Sequence, residues 1–287
     1  MKIYSDFDLT NYNSYRINSV CKRAIFFDSE NEIVEYFSKT SLDNCVVLGN
    51  GNNVILTKNR YENDFIIFNG NYNSYAFCAN ESQLRAEAGM LLSDLSLLAL
   101  KHSLTGLEVF YDIPSSLGGA VVMNAGASGE EIKDVLSFVR FLDLETNKVR
   151  EFSKSEISFE YRNSYFQKNK NNIVLSAKID LIPGDRGSIE TKMNLIRDQR
   201  WLKQPREFPN AGSVFKRPPG YFVGAIIDNL NLKGLVVGGA KISEKHGGFI
   251  INFNKASGSD IVKIIDHVRE LVLREFGVEL EIEQRLI

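Results

Sequence analysis

The chain has 287 residues, of which 44% are apolar, and its 34 basic and 36 acidic side chains leave a net charge of -2. That is enough apolar material for roughly two domains with real cores. The near-neutral balance excludes a protein whose main task is coating nucleic acid or an anionic membrane. Cys21, Cys45 and Cys78 form no CxxC pair, and His102, His246 and His267 are scattered, so zinc-ribbon, thioredoxin-type and multi-histidine metal readings fail. The opening MKIYSDFDLT lacks the apolar region of a signal peptide, and no run approaches the ~20 apolar residues of a membrane span. A soluble, cytoplasmic protein with reduced thiols is expected.

Strand and helix signals alternate along the chain, which predicts a mixed α and β class. Ser29 and Glu32 form a capping box before Ile33, Val34, Tyr36 and Phe37, predicting a short helix. Cys45 to Leu48 predicts a buried strand, followed by the glycine-rich segment 49–53, a return to β-type sequence at 54–56 and a strand over 65–68. The leucines of 89–102 have helical spacing, 135–150 reads as strand with a turn near Thr146 and Asn147, and 173–182 alternates again. Pro183, Gly184 and Asp185 mark a break, followed by a helix over about 188–202 that ends before Pro205. Ser257 and Asp260 cap a long amphipathic helix that Gly277 closes. The tail VELEIEQRLI alternates, with Val278, Leu280 and Ile282 on one side and Glu279, Glu281 and Glu283 on the other, and is expected to return to the middle domain.

Six segments could carry chemistry. The GNGNN run at 49–53 follows a strand, where glycines let backbone N–H groups approach an anion. A strand follows it and Val54 takes the third-glycine place, so it is not a dinucleotide fingerprint, and a ligand-free tight turn is an equal reading. In IPSSLGGAVVMNAGASGEEI at 113–132, Pro114 is expected in the first turn of a helix, with Ser115 and Ser116 beside free N–H groups that could hold phosphate. Gly118 and Gly119 alternatively mark a small-residue helix packed closely on a sheet. In FEYRNSYF, Arg162 lies among aromatics and could meet a carboxylate, a cation–π partner or a surface ion pair. In NAGSVFKRPPG, Ser213 precedes Lys216 and Arg217, with no hydrolase elbow, and could equally be a turn serine. Two of the three tail glutamates suit a solvated face, whereas one turned inward would need a partner. His246, in GGAKISEKHGGFIIN, suits a positioning role.

The ordered series GNGNN, IPSSLGGAVVMNAGASG, YRNS, AGSVFKRPPG, SEKHGGFIIN and LEIE resembles the UDP-N-acetylenolpyruvoylglucosamine reductases, or UDP-N-acetylmuramate dehydrogenases, in their shorter, type II-like branch, from about Ser14 to the C-terminus. The resemblance implies an α+β, three-domain FAD-binding fold of the vanillyl-alcohol-oxidase (PCMH) type. Residues 1–70 and 71–185, with the closing strand 278–287, would clasp the flavin, and residues 186–277 would bind substrate. It implies non-covalent FAD held by Gly49, Asn50, Gly51, Asn52, Asn53, Pro114, Ser115, Ser116, Gly118, Gly119, Ala120, Asn124, Gly126 and Arg217. It places Tyr161, Lys203 and Lys216 near substrate, and gives catalysis to Arg162, Ser213 and Glu283. Asn52 stands where serine is usual, Ser115 where glycine is usual, and Asn18 and Ser19 where two glycines are common. Gln284 replaces a usual valine and the tail is short, which predicts a looser hold on Glu283.

The implied reaction reduces the enolpyruvyl ether of UDP-N-acetylglucosamine enolpyruvate to UDP-N-acetylmuramate for peptidoglycan, with NADPH as hydride donor. A monomer without nucleic-acid or membrane partner is expected. Two other readings stay open: an FAD oxidoreductase of the same fold acting on another sugar or alcohol, and a non-catalytic nucleotide-sugar binding module.

Overall fold

The structure, a computed structural model, describes residues 1–78 and 81–287. The helix Gly258–Phe276 shows how local sequence sets an element. Ser257 accepts the Asp260 N–H at 3.2 Å, the Asp260 carboxylate accepts the Ser257 N–H at 2.9 Å, and Gly277 ends the helix at φ 65°. Both caps are those predicted. At the helix Glu30–Phe37 only half the expected box forms. Ser29 accepts the Glu32 N–H at 3.4 Å, but the Glu32 carboxylate turns to the Asp28 N–H at 2.9 Å and to the amino terminus.

The chain divides into two compact units, one of residues 1–5, 23–50 and 63–198 and the other of residues 6–22, 51–62 and 199–287. It passes from one to the other within the strands Lys2–Asp8, Val20–Phe26 and Arg60–Ile67, within the helix Arg186–Lys203, and between Asn50 and Gly51 in the glycine-rich loop. The units therefore cut across the sequential segments 1–70, 71–185 and 186–277. An unbroken strand or helix offers no shift of composition at which to place a boundary.

The first unit is built on a five-stranded antiparallel sheet in the order Lys148–Ser153, Leu136–Asp143, Asn172–Asp180, Gln83–Glu87, Tyr75–Phe77. The predicted turn closes its first hairpin, with Asn147 left-handed at φ 52° and Asp143 accepting the Glu145 N–H at 3.0 Å. Leu84, Val139, Phe141 and Leu175 from the sheet pack with Leu92 and Leu95 of the helix Leu92–Lys101 and with Leu117 and Val121 of the helix Leu117–Met123. Cys45–Leu48 runs parallel to 64–67 in the same unit.

The second unit packs the helix Gly258–Phe276 on an antiparallel sheet of Val236–Val237, Ala240–Ile242 and Ile250–Asn252. Ile261, Ile264, Ile265, Val268 and Val272 form the buried stripe of that helix.

The tail departs from expectation. It does not join the middle sheet as a strand over 278–287; Arg285–Leu286 instead pairs in parallel with Val54–Ile55. Alternation fixes an extended backbone but does not name its partner. The hold is also firm, because the Ile287 carbonyl accepts from the Thr57 N–H at 3.0 Å, the Thr57 hydroxyl at 2.6 Å and the Tyr61 hydroxyl at 2.6 Å. Among the described residues no helix is long and apolar enough to cross a membrane.

Candidate active site

In the first unit, two of the predicted loops come together. Asn50 donates its side-chain amide to the Pro114 carbonyl at 2.6 Å, and Gly49 backs so closely on Ser116 that a Cβ there would lie 2.6 Å from its hydroxyl oxygen. The helix does not begin at Pro114. Ser116 is its N-cap and accepts the Gly119 N–H at 3.4 Å, since a serine hydroxyl satisfies an open helix end that a proline ring cannot. The N–H groups of Leu117 and Gly118, expected free for phosphate, donate instead to Met90 and Ala88 at 2.8 Å each. Gly118 is glycine because a Cβ would sit 2.9 Å from that of Ala88, which is the close helix-on-sheet packing of the plainer reading. Ala120 is fully buried inside the helix.

Arg162 occupies a tight turn in which Glu160 and Asn163 exchange backbone hydrogen bonds, and its own φ is 53°. Its guanidinium donates to the Gly126 carbonyl at 2.7 Å and to the Asn124 carbonyl at 3.5 Å, and lies 3.9 Å from the Glu131 carboxylate. It also lies 5.1 Å from the ring centre of the exposed Tyr161. Asn124 holds this corner: it is fully buried in the left-handed conformation, donates to the Glu160 carbonyl at 2.9 Å and accepts the Lys133 N–H at 3.3 Å. Ion-pair and cation–π contacts, the plainer fates foreseen for this arginine, are thus both present, while the Gly126 and Asn124 carbonyls hold its guanidinium.

In the second unit, Gly51 is left-handed at φ 67°, with the Tyr12 carbonyl oxygen 2.1 Å from where a Cβ would stand. Asn52 donates to the Ser14 hydroxyl, and Asn53 donates to the Glu283 carbonyl at 3.0 Å. Ser213 is exposed on a backbone held from two sides: it bridges Phe249, while Val214 donates to the Gly248 carbonyl at 3.0 Å and accepts the Glu283 N–H at 2.8 Å. The pairing of Phe215 with Ile282 sets the register, so Gln284 lies across from Ser213. Lys216 pairs with Glu281, the Arg217 guanidinium sits 3.8 Å from the Phe222 ring centre, and Lys203 is exposed at the end of its helix. The side chains of Glu279 and Glu281 are 82% and 69% exposed, whereas Glu283 is half-buried, matching the expected division.

His246 braces the same backbone. Its Nδ1 accepts the Gly248 N–H at 3.1 Å, and burial holds the imidazole below its ordinary pKa. A depressed histidine contributes stability that is complete above its unfolded pKa of about 6.5 and is lost as pH falls toward the folded value. The second unit is therefore expected to lose stability as pH falls below about 6.5. His246→Asn, whose carbonyl can take the same N–H, should remove that part of the acid sensitivity in thermal melts at pH 7.5 and 5.

A model of the UDP-N-acetylenolpyruvoylglucosamine reductase C-terminal domain matches residues 204–287, and an FAD binding domain model matches residues 25–153. The UDP-N-acetylenolpyruvoylglucosamine reductase of Francisella tularensis is 38% identical over 281 residues, covering 97% of this chain and 98% of its own. The chain belongs to the UDP-N-acetylenolpyruvoylglucosamine reductase family. That of Caldanaerobacter subterraneus is 38% identical over 288 residues, covering 100% and 94% of the two chains. The crystal structure of the Thermus caldophilus reductase superposes with a TM-score of 0.80 at 27% identity, over 99% of this chain and 98% of that one. An α+β FAD-binding fold is therefore present, as the motif order implied.

The residues present fit the flavin that this family's fold implies. In the first unit, Gly49, Asn50 and segment 113–120 carry hydroxyls, a side-chain amide and glycines but no carboxylate, a donor set suited to a diphosphate. In the first unit, Asn50 and Gly49 already meet the Pro114–Ser116 turn. The signal missed in the sequence is Gln284: it shares the parity of Leu280 and Ile282 and is buried, so the alternation pointed it inward despite its polarity.

Proposed function

We infer that this reductase-family member reduces the enolpyruvyl group of UDP-N-acetylglucosamine enolpyruvate to the lactyl ether of UDP-N-acetylmuramate, with NADPH as hydride donor, for peptidoglycan synthesis. The observation that supports it most is 38% identity to a reductase over 97% of this chain and 98% of the relative. Arg162, Ser213 and Glu283 all stand at the motif positions that the reading needs. Residues 1–70 and 71–185 would serve the flavin, and 186–277, with Lys203 and Lys216, the UDP-sugar. The enzyme would act in the cytoplasm as a monomer.

Bound FAD supplies hydride uptake from NADPH and hydride delivery to the terminal methylene of the enolpyruvyl group. The protein must stabilise the negative charge that grows on the adjoining carbon and carboxylate. Arg162, its guanidinium aimed by the Gly126 carbonyl, pairs with that carboxylate. Glu283 shares a hydrogen bond with the enolic form, and Ser213 gives its proton to the carbon bearing the ether oxygen. Asn50, Asn53 and Ser115 would hold the flavin, with Ser116 capping the helix behind them and Gly49 and Gly51 allowing the close backbone turns.

The test is stopped-flow on the purified flavoprotein. NADPH should bleach the flavin, and the enolpyruvyl UDP-sugar should restore its colour at a rate sufficient for turnover. Restoration by other sugars or alcohols but not by this one would favour the broader oxidoreductase reading. Protein that is isolated without flavin, and fails to take it up, would favour the binding module.

A further inference from the structure

Gln284 and Tyr15 are buried polar residues of the second unit for which the reaction provides no role. Gln284 is 3% exposed and Tyr15 is 0% exposed. The two N–H groups of the Gln284 amide are shared among three successive carbonyls, Ala211 at 3.0 Å, Gly212 at 3.1 Å and Ser213 at 3.3 Å. Those acceptors fix which end of the amide is nitrogen. Its oxygen accepts the Tyr15 hydroxyl at 2.9 Å, and burial pushes that phenol's pKa up, keeping the proton on the oxygen as the donor requires. The Tyr15 carbonyl accepts the Asn252 side-chain amide at 2.7 Å, and the Asn252 N–H donates to the Pro209 carbonyl at 2.8 Å. The network therefore closes on itself, running from the 209–213 backbone through Gln284, Tyr15 and Asn252 back to Pro209.

We propose that Gln284, held by Tyr15, is a positioning residue that sets the backbone of the Ala211–Ser213 turn and so aims the Ser213 hydroxyl. The need arises from the local chain. Gly212 has φ 81° with nothing within 4 Å of an added Cβ, and its N–H is already held by the Asn210 side-chain oxygen at 3.1 Å, so what the turn still needs is a restraint on its carbonyls. One side-chain amide gripping three carbonyls supplies the restraint. The same residue follows Glu283 directly, and Glu283 donates its N–H to Val214, so a single anchor registers both segments. Tyr61 and Thr57 hold the Ile287 carbonyl, which fixes the far side of that anchor.

The inference rests on the proton-donor reading of Ser213, and its test separates the two. Gln284→Met keeps the length and burial but cannot grip carbonyls or accept from Tyr15. In the flavin-loaded protein, NADPH should bleach Gln284→Met as fast as the parent. Reoxidation by the enolpyruvyl UDP-sugar should slow at least about tenfold, the scale of a small misplacement of a reacting group. Amide exchange at 211–214 should quicken. In a Ser213→Ala background, Gln284→Met should slow reoxidation clearly less than it does in the parent, because one of the two groups that it registers is already gone. Normal reoxidation in Gln284→Met, an equal loss in both half-reactions, or full additivity with Ser213→Ala would overturn the positioning role. If Gln284→Met does not fold, Tyr15→Phe carries the same expectations at about threefold, and unchanged reoxidation there would equally overturn it. Normal reoxidation in Ser213→Ala alone would overturn the reading of Ser213 instead.

Discussion

Ser213→Ala is expected to keep its flavin and to be bleached by NADPH at the parent rate, yet to be reoxidised by the enolpyruvyl UDP-sugar roughly 10²-fold or more slowly, the usual scale for a lost general acid. The substitution is clean because the contacts that place Ser213 are made by the backbone: its bridge to Phe249, its carbonyl bond from Gln284, and the bonds of Val214 to Gly248 and Glu283. Alanine leaves all of these in place and removes one exposed hydroxyl, so melting temperature should stay within a degree or two. Serine is a poor acid near neutrality, but the carbon it would protonate is strongly basic, so the loss comes from geometry and not from a shifted pKa. The residual rate should therefore acquire no new pH dependence between pH 6 and 9. Reoxidation at the parent rate would remove the hydroxyl from the mechanism.

The elements that sequence foretold well are those whose signals are local. Ser257, Asp260 and Gly277 delimit their helix through contacts of a few residues, and Thr146–Asn147 announces the hairpin between 136–143 and 148–153. The second loop was half legible. A helix packed closely on a sheet is one of two readings that its glycines allow, beside a phosphate-holding loop; Ser116 takes the N-cap in place of the proline turn, and the N–H groups of Leu117 and Gly118 are taken by Met90 and Ala88. Nothing near residue 117 in sequence reveals a partner at 88 or 90. The tail failed for the same reason. A two-residue parallel pairing between 54–55 and 285–286 joins stretches at opposite ends of the chain, and alternation is silent about such a match. The alternation points Gln284 inward, but its pairing with Tyr15 was hidden because nothing local in sequence marks a hydrogen bond across 269 residues. The choice of Arg162, Ser213 and Glu283 came from motif order, and what the fold adds is the rigid support under each.

The second large effect is expected at Arg162. Arg162→Lys keeps one positive charge but loses the planar fork that donates to the Gly126 and Asn124 carbonyls. An ammonium at the end of a flexible stem cannot hold those carbonyls and face a substrate carboxylate in two parallel bonds. A loss of roughly 10²-fold in kcat/KM for the enolpyruvyl UDP-sugar is expected, the scale of removing one preorganised donor to a developing oxyanion. Part of any change will be structural, because the guanidinium also steadies the Glu160–Asn163 turn in which Arg162 itself sits at φ 53°. The two contributions can be read separately. Loss of the turn lowers the melting temperature and burdens both half-reactions alike, whereas loss of the carboxylate partner falls on reoxidation and leaves bleaching by NADPH as in the parent. Glu131, 3.9 Å from the guanidinium, gives a control: Glu131→Gln removes an ion-pair partner and keeps the fork. That variant should cost at most a few-fold in reoxidation, since a contact this long between partly exposed groups contributes little. If Arg162→Lys were to reoxidise as fast as the parent while melting lower, the guanidinium would be a brace for the 124–126 corner, and the charge on the substrate would have to be met elsewhere.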